Sequence, residues 1–137
     1  MSEKIEKMVV SGIAIRQGDD EREILLVWEN GIWEIPGVEV KGTRSNTREL
    51  RTYLLERLVG VGKIYVKDLY GVATYPSPKS SNGGRVENDF YLVDVSNQTG
   101  ETGDIKWLNG GQINKEDYPM SRITLGIIKS LRENNRL

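Results

Sequence analysis

Five consecutive apolar residues, Ile24-Leu25-Leu26-Val27-Trp28, lead through Glu29-Asn30-Gly31 into a second β-rich run, Ile32-Trp33-Glu34-Ile35. A strand that is apolar at every position has both faces covered, so it belongs in a sheet packed between two layers. Asn-Gly between two such runs is the strongest short signal for a two-residue hairpin. The second run stops at Pro36-Gly37. A covered hairpin near the start therefore commits the chain to a layered fold.

The rest of the sequence supplies the layers. Met8-Val9-Val10 and Ile13-Ala14-Ile15 read as a first strand. After a polar loop, Ser45 or Thr47 can cap a helix running to about Val59, ended by Gly60 and Gly62. In it Leu50, Leu54 and Leu58 repeat every four residues and, with Leu55, form an expected buried stripe. Strands follow from Ile64 to Tyr75 and from Val86 to Val95, separated by a Pro/Ser/Gly loop from Pro76 to Gly84. Asp104-Ile105-Lys106-Trp107-Leu108 is a short strand, and Asp117 or Ser121 begins a closing helix with Ile123, Ile127 and Leu131 on one face. Strands precede, separate and follow two helices. That order predicts the α/β (α+β) class, an α/β/α sandwich with a mixed β-sheet.

Composition narrows the chemistry. A chain of 137 residues fits one domain, here 1–137, and no internal repeat or linker is visible. With Cys 0 and His 0 there are no disulfides, no thiolate, no imidazole base and none of the common zinc sites. Catalysis is left to carboxylates, Lys, Tyr, Arg or hard oxygen-bound metals such as magnesium. The formal net charge of −1 argues against a general electrostatic nucleic-acid binder and leaves room for a local basic patch. No apolar run approaches the ~20 residues of a membrane helix, and the first residues lack the apolar core of a signal peptide. A cytoplasmic protein with no membrane partner is expected.

The order of elements and several residues resemble the Nudix hydrolase superfamily. The hairpin ending in Trp33-Glu34-Ile35-Pro36-Gly37 looks like that family's entry into its signature loop, and a helix follows at the right distance. Asp104-Ile105-Lys106-Trp107-Leu108 is similar to the acid-x-x-Trp element before the family's terminal helix. The resemblance spans roughly Val9 to Leu131 and implies magnesium or manganese as cofactor if the chain is active. The signature itself, G-x5-E-x7-R-E-U-x-E-E-x-G-U with U aliphatic, is degenerate here. Anchored on Gly37, it places Thr43, Thr52 and Leu55 at acid positions and keeps Glu56. Anchored on Gly60, it puts Leu54, Arg57 and Leu58 there. A register between the two keeps Glu56 and puts Tyr53 and Arg57 at the other acids. Glu56 is thus the one helix carboxylate to survive, the catalytic and metal candidate, with Asp104 as a second metal candidate. Val38 replaces the second glycine of the usual Pro-Gly-Gly. Glu49 shares a helix face with Glu56, but two turns separate them by about 10.5 Å, too far for one magnesium to bind both directly. Solvated surface acids are the plain alternative, and acids elsewhere, such as Glu87 or Asp89, would have to complete a site.

Charge inverts over the same segment. Lys41, Arg44, Arg48, Arg51 and Arg57 stand against Glu49 and Glu56. Arg44, Arg48 and Arg51 follow an i, i+4, i+7 spacing and cluster on one side, as a solvated charged face or as direct phosphate ligands. Trp33 and Trp107 sit in core-like strand contexts. Trp28 and Tyr75 lie near strand ends, where they can stack on a base, and Arg85 beside Gly83-Gly84 can meet a phosphate. Three readings follow. The first is a Nudix-like chain that binds a nucleotide, another phosphate-containing small molecule or an RNA end without standard hydrolysis. The second is an atypical metal-dependent pyrophosphohydrolase acting on nucleoside-diphosphate-linked substrates. The third is a structural or partner-binding module, for which a homodimer through strand edges or the closing helix would fit.

Overall fold

The computed structural model describes residues 5–40, 47–58, 62–77, 84–96, 103–113 and 117–137. In chain order the elements are β1 (Ile5–Gln17), β2 (Arg22–Glu29), β3 (Ile32–Glu34), β4 (Gly37–Val40), α1 (Thr47–Arg57), β5 (Lys63–Pro76), β6 (Arg85–Ser96), β7 (Ile105–Asn109) and α2 (Arg122–Glu133). The sheet runs β3-β2-β1-β6-β5, with β4 added on β1 and β7 on β2. β1 lies parallel to β6 and antiparallel to β2 and β4. The sheet is mixed, as the sequence order predicts.

β1 is the organiser. Along one edge it pairs with β6 from Ile5 to Ala14. The other edge is divided: β4 takes Met8–Ser11 and β2 takes Ile15–Gln17. Between them Gly12 N–H donates to Pro36 O at 2.9 Å. The hairpin turn is as expected, with Asn30 at φ 52° and Gly31 at φ 83°, the left-handed pair that a two-residue turn requires.

Two cores flank the sheet. Leu25 and Val27 of β2 face one, Ile24 and Leu26 the other, and all four are buried. That is the double burial implied by the apolar run. On the first side α1 packs Leu50, Leu54 and Leu58 over Val10, Val40 and Val93. Gly12 lets the helix approach, since a Cβ there would lie 2.9 Å from Val93 Cγ2 and 3.3 Å from Leu54 Cδ1. On the second side α2 packs over Phe90, Trp33 and Ile35. Trp33 and Trp107 are core residues, as expected.

Three expectations change. Leu55 is 42% exposed, because the stripe turns about Leu50 and Leu54 and carries Leu55 to the solvent side. In α2 the buried residues are Thr124, Ile128 and Leu131, with Ile123 and Ile127 on the flanks. β4 falls in the polar loop expected after Pro36-Gly37. It is four residues long and contains Glu39, too short and too polar for a pattern to register. Ser121, rather than Asp117, caps α2: its hydroxyl accepts Thr124 N–H at 3.2 Å. Ser45, Gly60 and most of the 76–84 loop lie outside the described residues.

Leu54 has its full side chain between helix and sheet. Leu54→Ala should cost about 2–5 kcal/mol of stability. Urea unfolding checks this, and a loss below about 1 kcal/mol would mean that α1 is not packed through this residue.

Candidate functional site

A cleft of ≈ 340 Å³ opens on the α2 side of the sheet, beside the place where β4 and β2 part. Alternation along the strands builds it. Ser11 of β1 and Asn88 of β6 point to this side, both buried, and Asn88 Nδ2 donates to Ser11 Oγ at 2.9 Å. Gly37 lies directly against that hydroxyl, so that any Cβ there would collide with Ser11 Oγ. The glycine of Pro36-Gly37 is thus fixed by a close approach.

Glu34 joins β3 to the start of α2. Its Oε2 accepts the Ser121 hydroxyl at 2.8 Å and the Thr124 hydroxyl as well. Ile35 N–H donates to Thr124 Oγ1 at 3.4 Å, and Trp33 N–H donates to Pro119 O at 2.7 Å. Tyr75 closes a side wall from β5. Burial, followed by the Glu34 charge, holds its phenol above the ordinary value. Among the described residues, the charged ones lining the cleft are Glu29 and Glu34.

At the mouth, the hairpin end meets α1. Tyr53 Oη donates to Glu29 Oε1 at 2.8 Å, and Arg57 Nη2 donates to Trp28 O at 3.1 Å. Arg57 Nε is buried and, among the described residues, has no partner. The Tyr53 phenol is raised by burial and by the bond to, and charge of, Glu29, against an opposing pull from Arg57.

The residues singled out from sequence do not converge. Tyr75 lines the cleft. Trp28 is 37% exposed and meets Trp33 edge-on at 5.3 Å, next to Glu29 but outside the lining. Arg48 and Arg51 line a separate groove on the α1 side. Arg85 Nη2 donates to Thr74 O at 3.0 Å. Glu56 is on the exposed face of α1. Asp104 is exposed at the turn before β7, and its main-chain oxygen accepts Trp28 N–H at 2.9 Å. Arg44 lies outside the described residues. Glu87 and Asp89 sit on the α1 side of β6. Burial, then the Asp89 hydrogen bond and charge, raise the Glu87 carboxyl. Among the described residues, no group of three or more acids is placed to hold a metal ion.

Sequence reasoning missed Ser11, Glu34, Asn88, Ser121 and Thr124. A signal existed for Ser11 and Glu34, each a polar residue inside an apolar run, whereas Asn88 lies between Glu87 and Asp89, where nothing set it apart. Which face each would occupy needed the strand order. Nothing marked Ser121 and Thr124 beyond a helix start.

No protein-family model matches the sequence, and no curated protein matches it. Solved structures match the fold. The NUDIX domain of Shewanella oneidensis NrtR, complexed with ADP ribose, is similar at TM-score 0.65 and 17% identity, over 98% of this chain and 90% of that one. The Ap4A hydrolase of C. elegans matches at TM-score 0.65 and 10% identity, over 93% and 96%. A NUDIX hydrolase from Nitrosomonas europaea matches at TM-score 0.65 and 15% identity, over 93% and 89%. The chain has the Nudix fold, and no helix among its described residues is long and apolar enough to cross a membrane.

A phenol with a raised folded-state pKa gives stability that is complete below the unfolded value, about 10 for tyrosine, and lost as pH climbs through the folded value. Tyr53 therefore adds an alkaline loss of stability starting near pH ~10. Urea midpoints of the wild type and Tyr53→Phe, compared across the alkaline range, should converge. Parallel curves would contradict the Tyr53–Glu29 contact.

Proposed function

We propose that this Nudix-fold chain binds a nucleotide or related phosphate-containing molecule in the α2-side cleft, without the family's metal-dependent hydrolysis. The observation that carries the reading is the pair of contacts at the cleft mouth, Tyr53 to Glu29 and Arg57 to Trp28. Burial of Leu54 favours the signature register that puts its aliphatic position there. In that register Tyr53 and Arg57 hold two acid positions, and Glu56 alone remains. Glu56 is exposed on α1, and Asp104 is exposed at the turn before β7, where its main-chain oxygen accepts Trp28 N–H. This donor set does not fit a magnesium or manganese centre, which needs several oxygen ligands at one point.

The cleft walls suit a nucleoside. The Glu34 and Glu29 carboxylates accept hydrogen bonds and cannot donate them when ionised. They match the amino and imino groups of a base and the hydroxyls of a ribose. Ile35, Phe90 and Tyr75 supply apolar and aromatic surface, and the similar NrtR domain was solved with ADP ribose. Two other similar structures are named hydrolases, which favours a second reading, hydrolysis of a diphosphate-linked nucleoside with Glu56 as metal ligand.

Calorimetry with ADP, with and without magnesium, separates the two readings. Binding should be equal in both conditions, unchanged in Glu56→Gln, and weakened about tenfold or more in Glu34→Gln, which keeps an acceptor for Ser121 and Thr124. Magnesium-dependent turnover of diphosphate-linked nucleosides that disappears in Glu56→Gln would overturn the binding reading.

A further inference from the structure

Three asparagines in the chain stand directly before a glycine: Asn30-Gly31, Asn82-Gly83 and Asn109-Gly110. Such a pair carries a reaction of its own. The glycine nitrogen can attack the asparagine Cγ, because a following residue without a side chain leaves the approach open. The fold treats the two described pairs differently, and Asn82-Gly83 lies outside the described residues. Asn109 is held. It ends β7 in register with Glu23 of β2. Its Oδ1 accepts Gln112 N–H at 2.9 Å, and its own N–H donates to Gln112 Oε1 at 3.0 Å. The Gly110 carbonyl accepts the Arg132 guanidinium. Neither the peptide nor the side-chain amide can rotate there without breaking a bond.

Asn30 is not held. It is exposed at the tip of the β2–β3 hairpin, at φ 52°, and Gly31 follows at φ 83°. Among the described residues, no hydrogen bond fixes the Asn30 side chain. A Cβ on Gly31 would meet nothing within 4 Å, so the space around this residue is open. The Glu29–Ile32 pair closes the turn from outside. Both two-residue hairpin turns, I′ and II′, take a positive φ at the first central position. The peptide between Asn30 and Gly31 can therefore rotate from one turn to the other while both strands stay paired. That rotation is the one freedom the attack needs.

We propose that Asn30-Gly31 is a self-modification site at the mouth of the cleft. The Gly31 nitrogen gives its proton to water and bonds to Asn30 Cγ. The Cγ–Nδ2 bond breaks, and the amide takes up a proton and leaves as ammonia. Water then opens the five-membered imide to aspartate or isoaspartate. Nothing is oxidised or reduced, and water is the sole co-reactant. Asn30 lines the cleft together with Glu29 and Glu34, so the product places a third carboxylate there. Its charge opposes an anionic ligand. The reaction is independent of the nucleotide reading, whereas this effect on binding rests on it.

The test is peptide mapping by mass spectrometry of the full chain, incubated folded at mildly alkaline pH. Trypsin puts the three pairs on separate peptides, 23–41, 80–85 and 107–115. Amide-to-acid conversion is expected about tenfold or more faster at Asn30 than at Asn109, because local structure protects only the second. In urea the two should convert at similar rates, which shows that the fold sets the difference. Asn30→Gln should abolish conversion on peptide 23–41 and keep that on the others. ADP affinity should fall about threefold or more in Asn30→Asp. The inference is overturned by an intact Asn30, by equal rates at Asn30 and Asn109 in the folded chain, or by equal ADP affinity of wild type and Asn30→Asp. A fresh chain that binds no nucleotide would contradict the nucleotide reading instead, and the mapping would still decide the modification.

Discussion

Everything in this molecule depends on one edge of β1 being shared between two strands. β4 occupies Met8–Ser11 and β2 occupies Ile15–Gln17. Two strands cannot follow each other on one edge without parting, and the chain crosses the gap with Pro36 bonded to Gly12. The parting makes the cleft. It turns the buried Ser11, with Gly37, towards the α2-side cleft and brings Glu34, at the end of β3, to the first turn of α2. The Glu34 carboxylate then fixes that helix through Ser121 and Thr124. Position, depth and polarity of the cleft follow from a strand-pairing constraint.

The same constraint separates two kinds of electrostatics. Among the described residues the cleft's charged groups are carboxylates, Glu29 and Glu34, set beside hydroxyls and an apolar wall. The groove across the sheet lies between β5 and a helix face carrying Arg48 and Arg51. In a chain with almost no net charge the contrast is local to the two openings, since Glu87 and Asp89 also lie on the α1 side. α1 carries it: its inner leucines hold the core, Tyr53 and Arg57 reach the hairpin beside the cleft, and Arg48 and Arg51 face the groove.

Much of the fold was legible in the sequence, for physical reasons. The run Ile24–Trp28 required two covering layers, and it has them. Asn30-Gly31 required a left-handed turn, and both residues adopt it. Leu50 and Leu54 gave the inner face of α1, whereas Leu55, one residue on, is rotated about 100° away. β4 carried no signal, because a four-residue strand is decided by its partner and not by its own pattern. The site was far less legible. Spacing put Arg44, Arg48 and Arg51 on one helix side; Arg48 and Arg51 line one groove and Arg44 lies outside the described residues, but spacing could not say on which side of the sheet they would lie. Ser11 and Asn88 are joined across 77 residues, a contact that exists only once β1 and β6 are parallel neighbours. Short-range periodicity contains no such information.

The central claim is that Tyr53 and Arg57 of α1 hold the hairpin end beside the cleft, at positions where an active relative would carry metal-binding acids. A crystal structure of the protein soaked with ADP and manganese tests it most directly, since manganese scatters anomalously. The account predicts nucleotide density against Ser11, Glu34 and Tyr75, with the Tyr53–Glu29 bond intact and no anomalous peak on α1. A manganese ion held by Glu56 beside the nucleotide's diphosphate would contradict it.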